Sequence, residues 1–140
     1  MIKTLAFAAA LLCGLISSAA SADAPVPLPG DEFTAKEILD AERYGLKLAH
    51  DGKFEEAAPY LDKAARLGQK EAQARLGFMF LKGEGVKRNS AVGISWLGTA
   101  ARGESTDTIK TLFDRAWKQF PENVSDKLTA YIDTFEAEFG

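Results

Sequence analysis

The chain has 140 residues, 46% of them hydrophobic and 26% charged, with 17 Lys and Arg against 20 Asp and Glu. This balance is ordinary for one small soluble domain and excludes a collagen-like chain, a disordered acidic tail and a multi-pass membrane protein. A net charge of -3 lacks the basic footprint of a nucleic-acid binder, so no nucleic-acid partner is expected.

Lys3 is the only basic residue before Lys36, and an apolar and small-residue run from Leu5 to Ile16 follows it. That run is too short for a membrane span, which takes roughly 20 apolar residues. It fits the core of an export signal, and Ala20-Ser21-Ala22 supplies the small-x-small cleavage pattern. Residues 1–22 are therefore expected to be removed as a signal peptide, leaving a chain that starts at Asp23 with no membrane anchor. The expected destination is the periplasm of a Gram-negative cell, or secretion otherwise. Cys13 is the single cysteine and leaves with the signal, because Leu12 stands where a lipoprotein signal needs a small residue. Packing alone must then stabilise the exported chain. Pro25, Pro27 and Pro29 alternate with small or apolar residues up to Gly30, so residues 23–33 read as a short, stiff, unbonded linker.

From Thr34 onward the apolar residues recur at helical spacing, and no stretch alternates as a strand does. Thr34 with Glu37 forms a capping box, and Ile38, Ala41, Gly45 and Leu48 then share one face of a helix that Gly52 ends. A second helix spans about Glu55 to Leu67, with Ala57, Leu61, Ala64 and Ala65 inward. Pro59 lies deep enough to loosen or kink its first turn. The pattern then repeats. Ala72, Leu76, Gly77 and Phe80 line one helix, stopped by Gly83. Asn89 or Ser90 caps the next, which carries Ala91, Ile94, Trp96, Leu97, Ala100 and Ala101 before Gly103.

Gly45 and Gly77 are 32 residues apart, whereas Tyr60 to Trp96 and Ala64 to Ala100 are each 36. The four extra residues fall in the longer Gly83–Asn89 connection. Ala72-x-x-x-Leu76-Gly77-x-x-Phe80-x-x-Gly83-x-Gly85-Val86, with Trp96 and Ala100-Ala101, resembles a Sel1-like repeat. Gly45, Leu48, Gly52-x-Phe54-x-x-Ala57, Leu61 and Ala64 look like a tetratricopeptide repeat. Phe80, Asn89 and Gly93 depart from the usual tyrosine, aspartate and alanine of the Sel1-like pattern. The resemblance implies two helix-turn-helix units, over 34–68 and 69–103. It also implies a scaffold or adaptor for another exported protein or peptide.

Beyond Gly103 the repeat fades but helices continue. Ile109, Leu112, Phe113, Ala116, Trp117 and Phe120 form one stripe. After Pro121-Glu122-Asn123, a second stripe comprises Val124, Leu128, Tyr131, Ile132, Phe135 and Phe139. Residues 104–140 read as the helical-pair cap that a repeat stack needs at its end, and both Trp96 and Trp117 are expected inside. The expected fold is all-α, a short α-solenoid of two helix-turn-helix repeats closed by that cap.

Catalytic chemistry is hard to find. The exported chain has one histidine and no cysteine, so metal and haem sites of ordinary composition lack ligands, and no cofactor is expected. Gly83-x-Gly85 lacks the third glycine and the preceding strand of a dinucleotide loop. No Gly-x-Ser-x-Gly elbow or Ser-x-x-Lys motif occurs, which argues against an enzyme and against a penicillin-related binder. His50 reads as a cation at a helix C-terminus, and Lys82, Lys87 and Arg88 as a solvated loop or a contact for an anionic partner.

A binding face follows from helix geometry. With Gly45 and Leu48 turned to a neighbouring helix, Leu39, Glu42 and Leu46 project to the concave side. Ala74, Phe78 and Leu81 form a second row at i, i+4, i+7. Leu46, Phe78 and Leu81 are the expected anchors of an exported protein or peptide, with Glu42, Glu71 and Lys82 as a polar rim. Phe80, two residues from Phe78, should point into the helix pair. The alternative is a structural subunit that self-associates through its C-terminal helices.

Overall fold

A computed structural model describes residues 26–140, so the expected signal and the start of the linker lie outside the described residues. The helices in order are α1 (Ala35–His50), α2 (Phe54–Arg66), α3 (Lys70–Lys82), α4 (Ser90–Ala101), α5 (Asp107–Trp117) and α6 (Ser125–Phe139), with a 3-10 turn at Glu122–Val124. There is no strand among the described residues, and the fold is all-α.

The boundaries have local causes. The Glu37 N–H donates to Thr34 Oγ1 at 3.2 Å and the Thr34 N–H donates to the Glu37 carboxylate at 2.7 Å, closing the capping box. The Val92 N–H donates to Asn89 Oδ1 at 3.1 Å and the Ile109 N–H to Thr106 Oγ1 at 3.3 Å, which start α4 and α5. Gly83 ends α3 at a φ of 76°, a conformation that costs a residue with a Cβ. Helix α2 runs through Pro59. That residue is exposed, so the carbonyl it leaves without a donor can be hydrated.

Helices α1 and α2 pack as one pair, α3 and α4 as the next, and α2 against α3 joins them. Backbones come close where side chains vanish. A Cβ on Gly45 would stand 3.0 Å from Leu61 and Tyr60. One on Gly77 would meet the Gly93 carbonyl at 2.8 Å, and one on Gly93 would meet the Gly77 carbonyl at 2.8 Å. Gly93, a departure from the repeat pattern, is thus the counterpart that lets Gly77 approach.

Helix α4 is the centre of the molecule. Every residue from Gly93 to Ala100 is buried, and α3, α5 and α6 all pack on it. The two C-terminal helices each lean chiefly on α4 rather than forming a hairpin of their own. Phe135 and Phe139 cover Trp96, with ring centroids 5.1 and 4.9 Å away. Gln73, itself fully buried, donates to the Ala65 and Phe139 carbonyls at 3.0 and 2.9 Å, and Arg102 pairs with Asp133 and Glu136 of α6.

Three expectations change. Trp96 is buried but Trp117 is half-buried, flanked by Phe113 and Phe120 at the margin of the fold. Tyr131, in the stripe of α6, is 41% exposed, at the edge of a stripe whose buried members are Leu128 and Ile132. The described part of the linker does not stand clear of the domain. The Tyr60 hydroxyl donates to the Val26 carbonyl at 2.6 Å, and the Lys63 ammonium lies 5.4 Å from the Phe33 ring centre, so residues 26–33 are tied to α2. An extended segment leaves its carbonyls unpaired, and Tyr60 supplies a donor.

Candidate interaction groove

Helix α1 packs directly on α3, whereas no comparable contact joins α3 to α5. A furrow is left between those two. At one end it measures about 400 Å³, with Leu46 of α1, Glu71, Ala74 and Arg75 of α3, Thr106 at the cap of α5, and Thr108, Ile109 and Leu112 of α5. At the other end a cleft of about 270 Å³ lies among Leu81, Arg88, Ser90, Ala116, Gln119 and Phe120. Phe78 and Lys82 border both, so the two clefts adjoin along α3. The start of α5 meets the first end and the residues just after α5 meet the second, so α3 and α5 run in the same direction.

The structure brings Leu46, Glu71, Ala74, Phe78 and Lys82 together at the first end and adds Leu81 at the second. Ala74 is only 6% exposed and forms floor rather than wall. Phe78 packs on the cluster around Ile94, Leu97 and Ile109. Phe80 packs on the separate cluster around Leu48, Leu61 and Trp96. The two phenylalanines therefore face opposite ways, as two residues of helical separation require.

Two members of the expected face do not line this groove. Leu39 is 48% exposed but lies two turns of α1 before Leu46, outside the furrow. Glu42 is half-buried and holds the start of α3, where Gln69 offers no side-chain cap: the Ala72 N–H donates to its carboxylate at 3.3 Å. Burial pushes the pKa of Glu42 up, the Ala72 hydrogen bond pulls the other way, and the Glu71 carboxylate adds to the rise. Its position is that of a cap, since carboxylates are favoured at helix N-termini.

Sequence reasoning misses the whole α5 wall. Ile109, Leu112 and Ala116 read as cap core, and their stripe gives no sign that one edge stays open. It also misses Arg75, whose guanidinium donates to the Ala49 carbonyl at 3.1 Å and lies 5.6 Å from the Phe54 ring centre. Arg75 thereby ties α3 to the end of α1. The groove has a soft apolar bed and charged rims, an arrangement suited to gripping another chain's side chains.

Among the described residues, no three or more His, Cys, Asp or Glu gather as a metal site, and no helix is long and apolar enough to cross a membrane. No protein family matches the chain, and neither a curated protein nor a solved structure matches it.

Proposed function

We propose that this protein is an exported, non-enzymatic interaction module, a Sel1-like or tetratricopeptide-like helical repeat that grips another exported protein or peptide. The observation that carries the reading is the pair of adjoining clefts between α3 and α5, which share Phe78 and Lys82 as a border. Apolar surface left along a furrow flanked by charges is the usual form of a docking site. The repeat-like register of Gly45 and Gly77, and the export signal read in residues 1–22, support the scaffold and the compartment.

The test compares Phe78→Glu with Phe80→Ala in affinity capture from a cell-envelope extract. Phe78→Glu should abolish capture and leave the melting curve nearly intact, while Phe80→Ala should lower the melting temperature. If Phe78→Glu unfolds the domain, Phe78 is core and the groove is not a docking site. The compartment is checked separately by intact mass: protein released by its host should begin at Asp23, and a retained Met1 would contradict export by cleavage.

A second reading, self-association through α6, draws on Tyr131, exposed beside a cleft with Val92, Ser95 and Phe135. Light scattering at two concentrations tests it, and an unchanging monomer mass removes it.

A further inference from the structure

We propose that the face of α1 and α2 around Tyr44 and Tyr60 is a binding site for polyproline II segments. It is filled by this chain's own Val26–Pro29 strap, and it takes a proline-rich segment of another chain when that strap swings away. This face is separate from the α3–α5 clefts and does not depend on the docking reading built on them.

The strap is restrained to the conformation such sites read. Pro27 and Pro29 each fix φ near about −65°, and a residue before proline is driven out of the α region, which restrains Val26 and Leu28. Restrictions at four successive residues favour polyproline II, in which about three residues make a turn and positions i and i+3 share a face. The burial follows that period. Val26 and Pro29 are half-buried, while Pro27 and Leu28 between them are exposed. One face of the strap thus lies on the domain.

The domain meets that face with the groups a polyproline II segment needs. Such a segment has no internal hydrogen bonds, so its carbonyls require outside donors, and its side chains pack on aromatic surface. The Tyr60 hydroxyl donates to the Val26 carbonyl at 2.6 Å, and Tyr44 stands edge-on to Tyr60 with ring centroids 4.9 Å apart. Both tyrosines are half-buried and packed on the cluster around Leu48 and Leu61, so they are held in place without the strap. The Tyr44 hydroxyl makes no hydrogen bond among the described residues and is a second donor for an incoming segment.

The strap is separable from the helices. Residues 30–33 are exposed, with Gly30 and a bend at Asp31–Glu32 between the strap and the Thr34 cap. Lys63 keeps Phe33 beside α2, so the part free to swing is residues 26–30. One hydrogen bond and two half-buried side chains are a small hold. The strap's advantage over a separate segment is its tether, which acts as an effective concentration on the order of millimolar. A partner below that level wins by making more contacts, and the Tyr44 hydroxyl is one that residues 26–33 leave unused.

The experiment uses the protein purified from its host and a fluorescein-labelled peptide that reproduces residues 24–31, with a control peptide carrying glycine for every proline. The Pro27→Gly/Pro29→Gly variant frees the strap and vacates the site. Fluorescence anisotropy should show the proline peptide binding this variant at least about tenfold more tightly than wild type, because the tethered competitor is gone. Adding Tyr60→Phe, which keeps the ring and removes the donor, should undo most of that gain, and the glycine peptide should not bind. If the glycine strap lowers the melting temperature, the proline peptide should restore it. Equal affinity for wild type and the glycine strap, binding indifferent to Tyr60→Phe, or no binding at about millimolar peptide each overturns the proposal. A wild-type mass that doubles with concentration and falls back when the peptide is added makes a second copy the occupant and overturns the foreign partner. None of these outcomes involves Phe78, so this proposal and the docking reading fail separately.

Discussion

In the first four helices the tightest joint is backbone against backbone, at Gly77 against Gly93, while at Gly45 a Cβ would meet the Leu61 and Tyr60 side chains. Helices α5 and α6 reach α4 through side chains instead. Even at Gly98, where a Cβ would fall 2.8 Å from Ile132, the neighbour is a side chain and not backbone. Phe135, Phe139 and Arg102 supply the remaining grip on α6. The difference teaches where tolerance lies. Backbone contacts admit no added atom, whereas a joint made of side chains loses stability in portions as each is removed.

The largest effect expected is at the tight joint. Gly77→Leu forces a side chain into the Gly93 carbonyl and the Leu97 backbone, at a cost of about 3 kcal/mol or more. Denaturant unfolding measures it, and an unchanged midpoint would mean that α3 and α4 are not in backbone contact. Next comes the side-chain joint. Phe139→Ala uncovers one side of Trp96 and should cost about 2 kcal/mol. Tryptophan emission should shift to the red while far-ultraviolet circular dichroism stays helical. No shift would place the cover elsewhere.

Arg102→Ala removes the ion pairs with Asp133 and Glu136 and should cost no more than about 1 kcal/mol, since the partners are partly exposed. The loss should shrink at high salt, and a salt-independent loss would point to packing by the arginine stem. Glu42→Gln is the smallest. Burial raises the carboxyl's pKa in the fold, so wild-type stability from this group is complete in acid and is lost as pH rises through the elevated value. The variant's stability relative to wild type should therefore climb across that range, by less than about 1 kcal/mol for a half-exposed group. Parallel pH curves would show that Glu42 is not desolvated.

What the sequence makes legible here is local. The Thr34–Glu37 box and the Gly83 stop depend on nearby residues and stand in the structure as read, and of the two cap candidates Asn89 and Ser90 the structure uses Asn89. The opposite facing of Phe78 and Phe80 is likewise a matter of one helical turn. The central place of α4 was visible as a charge-free run over residues 90–101, but one-face periodicity treats such a helix like its neighbours. Long-range facts were not visible. Glu42 finds the Ala72 N–H 30 residues away, and the α5 wall is set by how α5 leans on α4. An amphipathic stripe says which side of a helix is buried and not how completely, so Tyr131 was counted inside and Ile109 gave no hint of a groove.

The burial of α4 on three sides also sets an order in time. Its cover includes α6, so α4 cannot be fully enclosed until Ser125–Phe139 is available. A molecule built this way cannot complete itself one unit at a time as it is synthesised, in the manner of a stack whose neighbours meet only in sequence. Its unfinished state should last until α6 has emerged, with the apolar surface of α4 incompletely covered. For a chain exported as an unfolded thread such late closure would be an asset: the final fold waits for the far side of the membrane.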